Sequence, residues 1–213
     1  MNGRQDILRF EIPKIYPITD RALTGLSHAE QVRRLADGGA TLIQIRDKNA
    51  TGADFYAAAK EAVAIARIAG ARIIINDRVD IAMAVKADGV HLGQEDLPPT
   101  EARRILGDDA IIGFSTHDLK QLKAAARMPV DYIAFGPVFA TSSKTEPDAI
   151  VGTERLSEAR KAIPDSVLVA IGGINDANIG EVFDAGADSA AIISFILNDP
   201  SDITHRVRRL LNG

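Results

Sequence analysis

The segment Gln44-Ile45-Arg46-Asp47-Lys48 brings an amide, a guanidinium, a carboxylate and an ammonium together at the end of an apolar run. Period-2 alternation sets Ile43 and Ile45 on one face and Gln44 and Arg46 on the other. If the apolar face packs against helices, Gln44 and Arg46 point into an interior that a plain core would fill with Val or Leu. The plainer alternative is a surface ion pair between Arg46 and Asp47. A second run ends in Ile75-Asn76-Asp77-Arg78, and the segment after the next run closes on Asp96. An Asx pair at a strand-to-helix junction also resembles an N-cap. Two carboxylates on neighbouring strands, with Asn76 nearby, instead suit a hard divalent cation that keeps several waters and bridges a substrate phosphate. His91 has no histidine partner at ligand spacing and reads as an interior hydrogen-bonding residue.

Further along, Gly113-Phe114-Ser115-Thr116-His117 puts Gly113 and Ser115 on one face, where small side chains are expected to leave room for a ligand. His117 reads equally as a helix-start residue or a site group. The stretch from Gly136 to Lys144 is hydroxyl-rich; as a lid, its Thr141, Ser143 and Lys144 would reach over phosphate oxygens. Gly172-Gly173 lets backbone N–H groups approach an anion, and Ser194 adds a hydroxyl at the end of the last apolar run. A helix C-cap accounts for Gly186 but not for Gly172-Gly173, so a monophosphate pocket is expected at that pair. This inventory suits two phosphorylated substrates, one of them a diphosphate. No Ser-His-Asp order and no HExxH segment supports a hydrolase with a protein nucleophile.

The elements that must position these groups alternate along the chain. Apolar runs at 15–19, 41–45, 72–76, 89–92, 110–114, 131–135, 167–171 and 189–193 are rich in Ile, Val or Leu, and all but the first, which holds Pro17, lack Pro. Helical patterns follow at 28–37, 52–69, 80–86, 99–106, 118–126, 152–162, 175–185 and 201–211. Alternating βα order forces a parallel sheet. The first run is not followed by a GxGxxG turn, and the phosphate-type glycines come late. That placement favours a single (β/α)8 TIM barrel over residues 1–213, with its phosphate site after strands seven and eight, rather than a doubly wound sheet.

Composition narrows the partners. The 213 residues carry a net charge of −4, are 46% hydrophobic and 25% charged, and include no cysteine. A disulfide scaffold, a zinc-thiolate module and a thiol nucleophile are thereby excluded. Scattered Lys and Arg argue against nucleic acid. No apolar stretch approaches the ~18 residues of a membrane span. The start lacks a signal-peptide core, so a cytoplasmic enzyme is expected, with a homo-oligomer left open.

The same segments resemble the thiamine phosphate synthase (thiamine-phosphate pyrophosphorylase) family. The matching stretches are 44–48, 75–78, 87–96, 113–117, 131–132, 136–139, 141–144, 172–174 and 185–188, in order across nearly the whole chain. The resemblance implies a TIM barrel that couples 4-amino-2-methyl-5-(hydroxymethyl)pyrimidine diphosphate to a thiazole monophosphate, with Mg²⁺, releasing pyrophosphate through a carbocation-like step. It further implies that Gln44, Arg46, Lys48, Asn76, Ser115 and Lys144 hold the pyrimidine diphosphate. Asp77 and Asp96 would hold the Mg²⁺. Thr141, Ser143, Gly173 and the backbone around Ile193 and Ser194 would hold the thiazole phosphate. Of these, Arg46, Lys48, Ser115 and Lys144 would serve catalysis. The family's lid commonly reads Thr-x-Thr-Lys, whereas this chain has Thr141-Ser142-Ser143-Lys144. Similar lids occur in sister thiazole tautomerases, which often lack the second metal Asp; Asp96 favours the synthase. The rival readings are a tautomerase using His117 as acid/base group and, last, a non-catalytic barrel that sequesters thiamine precursors.

Overall fold

The structure, a computed structural model, describes residues 11–141 and 149–212. Its strands are β1 (Ile15–Pro17), β2 (Leu42–Ile45), β3 (Arg72–Asn76), β4 (Gly89–Leu92), β5 (Ile111–Thr116), β6 (Tyr132–Phe135), β7 (Leu168–Ile171) and β8 (Ser189–Ile192). Its helices are α1 (Arg21–Thr24), α2 (His28–Asp37), α3 (Gly52–Ala69), α4 (Val79–Val85), α5 (Pro99–Leu106), α6 (Leu119–Ala125), α7 (Gly152–Ala162), α8 (Ile179–Asp184), α9 (Ser194–Leu197) and α10 (Ile203–Asn212).

The eight strands form one parallel sheet in the order β1-β8-β7-β6-β5-β4-β3-β2. A parallel bridge between Ile18 and Gln44 joins its two edges. There the Thr19 N–H donates to the Gln44 carbonyl at 2.8 Å. The chain is therefore a TIM barrel, as the alternation requires, and all strand C-termini open at one end.

Alternating side chains divide the core in two. Ile43, Ile45, Ile73 and Ile75 face outward and pack with Phe55, Ala59, Val63 and the other buried helix residues. Tyr16, Ile18, Leu42, Ile74, Tyr132, Ala134 and Val169 fill the barrel. The outward and inward faces of β2 thus fall as its alternation predicts.

Capping fixes where several helices begin. Ser27 Oγ accepts from Glu30 N at 3.1 Å, Thr51 Oγ1 from Asp54 N at 3.2 Å, and Asp118 Oδ1 from Gln121 N at 2.8 Å. The structure adds α1 and α9, which are too short to show helical periodicity, and extends β5 through Ser115 to Thr116. It also shortens the helix expected from 175: Asn175 and Asn178 bond within a turn and delay α8 to Ile179. No helix among the described residues is long and apolar enough to cross a membrane.

At the end opposite the mouth, one device recurs. Asp88, Asp131 and Asp188 each immediately precede a strand and accept a backbone N–H from the strand beside it. The donors are Ile73 at 2.7 Å, Ile112 at 2.7 Å and Leu168 at 2.8 Å. Arg103 and Arg160 neutralise two of these carboxylates, at 2.6 Å from Asp131 and 2.8 Å from Asp188. Arg103 and Asp131 are both largely shielded, so removing one partner strands the other's charge. Asp131→Ala is therefore expected to destabilise the fold by about 3 kcal/mol in urea unfolding. Glu101→Ala, which breaks an exposed pair with Arg104, should cost less than about 0.5 kcal/mol in the same assay.

Candidate active site

The strand C-termini surround a cavity of about 580 Å³. Gln44, Arg46, Lys48, Asn76, Asp77, Asp96, Ser115, Thr141, Gly173, Ile193 and Ser194 all line it. Ser143 and Lys144 lie outside the described residues. Residues drawn from widely separated parts of the sequence thus meet in one space, because each sits at or just beyond a strand end.

The cations are held at defined places. Arg46 leaves the end of β2 and faces Asp20 at 3.6 Å, while Asp47 faces Arg21 and His28, each at 3.4 Å. The expected alternative of an Arg46–Asp47 surface pair is therefore not what forms. Asp47 Oδ1 accepts the Asn49 and Ala50 N–H groups at 3.2 and 3.1 Å, which shapes the loop carrying Lys48. Lys48 Nζ reaches Asp77 Oδ2 at 3.2 Å.

Asp77 sits at φ 62, where the backbone turns sharply out of β3. It does not cap α4: the N-cap position falls on Arg78, which makes no side-chain cap bond. The turn instead directs the Asp77 carboxylate toward Lys48 and Asp96. Burial pushes the Asp77 pKa up; Lys48 opposes this, and the neighbouring Asp96 raises it further. Asp96 is itself oriented by the Gly93 N–H, which donates to its Oδ2 at 2.7 Å. Among the described residues no cluster of three or more His, Asp or Glu could cage a metal. Two carboxylates beside Asn76 fit a Mg²⁺ ion that draws its remaining ligands from water and substrate oxygens.

On the opposite side of the barrel, Gly172 and Gly173 have φ 104 and 64. Side chains there would overlap Pro137 and the Ala140 carbonyl, so the segment at 137–140 also demands this pair of glycines. Asn178 donates to the Gly173 carbonyl at 3.0 Å and holds its peptide in place. Gly186, at φ 97, follows the α8 C-cap Ala185 as the left-handed residue that ends the helix, and Arg160 lies over its missing side chain.

His117 lines the cavity and donates from Nδ1 to the Gly136 carbonyl at 2.9 Å; Asp118, not His117, caps α6. Gly113 corrects one expectation. The space beside it is occupied by the Tyr132 phenol rather than left for a ligand. Tyr16 and Tyr132 escaped the sequence reading as site residues, since a tyrosine in an apolar run reads as core; only the barrel brings their hydroxyls together, 2.8 Å apart. Burial pushes both phenol pKa values up, so both keep their protons.

Residues 15–196 match the family model described as thiamine monophosphate synthase. The chain belongs to that family. A thiamine-phosphate synthase of Clostridium novyi is 44% identical over 200 residues, 93% of this chain and 97% of that protein. One of Chlorobium phaeobacteroides is 46% identical over 181 residues, 83% and 86% of the two chains. The solved thiamine phosphate pyrophosphorylase of Pyrococcus furiosus superposes with a TM-score of 0.85 at 37% identity, covering 96% of each chain. Membership in the thiamine monophosphate synthase family makes this protein an enzyme of the transferase class.

The carboxylate pair has a measurable signature. In metal-free protein, ¹³C-detected titration should show Asp77 ionising above the ordinary aspartate range of about 3.9. Asp96→Asn should lower that pKa by removing a like charge, and Lys48→Met should raise it by removing the opposing cation. The folded state binds this proton more tightly than the unfolded chain. The Asp77 contribution to stability is therefore lost as pH rises from the unfolded aspartate pKa through the folded one. An Asp77 that titrates at or below the ordinary value would contradict this electrostatic reading.

Proposed function

We propose that the protein couples 4-amino-2-methyl-5-(hydroxymethyl)pyrimidine diphosphate to a thiazole monophosphate, forming thiamine phosphate and pyrophosphate. The observation that carries this reading is that two separate sets of residues suited to phosphate groups line one cavity. Arg46, Lys48 and the Asp77–Asp96 pair stand at β2 to β4, and Gly173, Ile193 and Ser194 at β7 and β8.

The bond changes explain why such a site needs charge more than a nucleophile. The bond between the pyrimidine methylene carbon and the diphosphate oxygen breaks, and the oxygen keeps the electron pair. The thiazole nitrogen lone pair then forms the new C–N bond. That nitrogen carries no proton to lose, so no general base is required. The demanding part is the negative charge on the departing diphosphate and the positive charge on a methylene cation stabilised by its aminopyrimidine. Arg46, Lys48, Ser115 and Lys144 serve the leaving diphosphate. Gln44 and Asn76 help to seat the pyrimidine end.

Asp77 and Asp96 hold Mg²⁺, which when bound neutralises diphosphate charge. Before the anion arrives, Lys48 rests on Asp77 and Arg46 faces Asp20. A diphosphate offers both cations a more highly charged partner, so binding exchanges internal ion pairs for substrate contacts rather than creating charge in an empty site. Thr141, Ser143 and the Gly173 and Ile193–Ser194 backbones hold the thiazole phosphate, which fixes the nucleophilic nitrogen relative to the methylene carbon. The expected setting is the cytoplasm, with small-molecule substrates as partners.

Mixing both substrates with Mg²⁺ should release pyrophosphate in step with thiamine phosphate, and Asp96→Ala should lower kcat/KM by on the order of a hundredfold or more. Full activity in Asp96→Ala, or no coupling by the wild type, would overturn the assignment. Isomerisation of a thiazole without coupling would replace it with a tautomerase.

A further inference from the structure

Below the cavity mouth a string of buried polar groups crosses the barrel. Gln44 Nε2 donates to Tyr16 Oη at 3.0 Å, Tyr16 Oη meets Tyr132 Oη at 2.8 Å, Tyr132 Oη meets His91 Nδ1 at 3.0 Å, and His91 Nε2 meets Ser115 Oγ at 2.8 Å. These links join β1, β2, β4, β5 and β6 through side chains far apart in sequence. Aromatic contacts hold them in place. The Tyr16 and Tyr132 rings meet edge-on at 5.7 Å, and His91 stacks on Tyr132 at 5.5 Å with an interplanar angle of 22°. Gly113 supplies the space for the Tyr132 hydroxyl end, since any side chain there would overlap it.

Proton accounting gives the string a direction. Each hydroxyl has one proton, and a neutral imidazole has one donor and one acceptor nitrogen. Gln44 already donates to Tyr16, so the Tyr16 proton is spent on Tyr132 and the Tyr132 proton on His91 Nδ1. His91 is then protonated at Nε2 and donates to Ser115 Oγ. The reverse order would bring two donors to Tyr16 and leave its own buried proton aimed at neither partner, which is the costly arrangement.

We propose that Tyr16, Tyr132 and His91 are positioning residues that fix the direction of this string, so that Ser115 accepts from His91 and turns its own hydroxyl proton into the cavity as a donor to a substrate oxygen. The proposal rests on the coupling reaction for what Ser115 meets, but not for the direction itself. It gives the two tyrosines a purpose that packing alone does not require: phenylalanines would fill the same barrel volume without ordering Ser115. It also makes His91 a fixed donor rather than an acid/base group.

Two measurements test it. In ¹⁵N-histidine-labelled protein at about pH 8, where an ordinary histidine is neutral, the His91 signals, identified by their loss in His91→Gln, should show protonated Nε2 and hydrogen-bonded, unprotonated Nδ1. A proton on Nδ1 would reverse the string and overturn the proposal. In the coupling assay, Tyr132→Phe keeps the ring and should lower kcat on the order of tenfold, with little change in the KM for the thiazole phosphate. Tyr132→Phe combined with Ser115→Ala should be no slower than Ser115→Ala alone. Losses that multiply would show that Tyr132 acts by general packing and not through Ser115. If the wild type couples nothing, the functional reading fails, while the nitrogen signals still decide the direction of the string.

Discussion

The contact on which the site depends is the seam between β1 and β2, where Ile18 pairs with Gln44. Seven parallel strand pairs would by themselves make a curved sheet with two exposed edges. The Thr19-to-Gln44 backbone hydrogen bond joins those edges and brings β8 and β2 to either side of β1. Closure turns a row of strand ends into a ring, and only a ring sets the carboxylates after β3 and β4 across a cavity from the glycine turn after β7. Gln44 takes part twice. Its backbone closes the barrel and its amide starts the hydrogen-bonded string across the interior.

The electrostatics of the mouth follow from crowding in a cavity that water only partly reaches. Arg46 and Lys48 each stand opposite a carboxylate, Asp20 and Asp77, so the two cations at the mouth are held by internal ion pairs. Burial pushes the Asp77 pKa up, Lys48 opposes the shift, and the neighbouring Asp96 carboxylate adds to it. At the opposite end of the barrel, Asp88, Asp131 and Asp188 each accept a backbone N–H, and Asp131 and Asp188 meet Arg103 and Arg160.

Much of this was legible in the residues. Alternation in β2 separated Ile43 and Ile45 from Gln44 correctly, because a strand has only two faces and one of them must meet helices. Asp77, Asp96, Gly173 and Ser194 were identifiable because each is a polar or glycine residue at the end of an apolar run, where a barrel gathers its loops. What misled was local reasoning about space. Gly113 looked like room for a ligand, yet the volume belongs to Tyr132 on the next strand, and an empty position in a sequence does not say which neighbour fills it. Helix α9 and the turn before α8 were missed for a related reason. Four residues show no period, and the Asn175–Asn178 side-chain bond competes with a helix start in a way that hydrophobic spacing does not register.

The sequence alone determined the barrel class, the strand that carries each functional group and the charge chemistry available to the site, because those depend on residue type and on spacing along the chain. The tertiary structure alone decided the partners: Arg46 with Asp20, Lys48 with Asp77, Gly113 with Tyr132, and the tyrosines with His91. Spacing says which face a side chain takes. Which other side chain waits there depends on strand register and on closure of the ring, and both are settled by packing of the whole barrel rather than by any local segment.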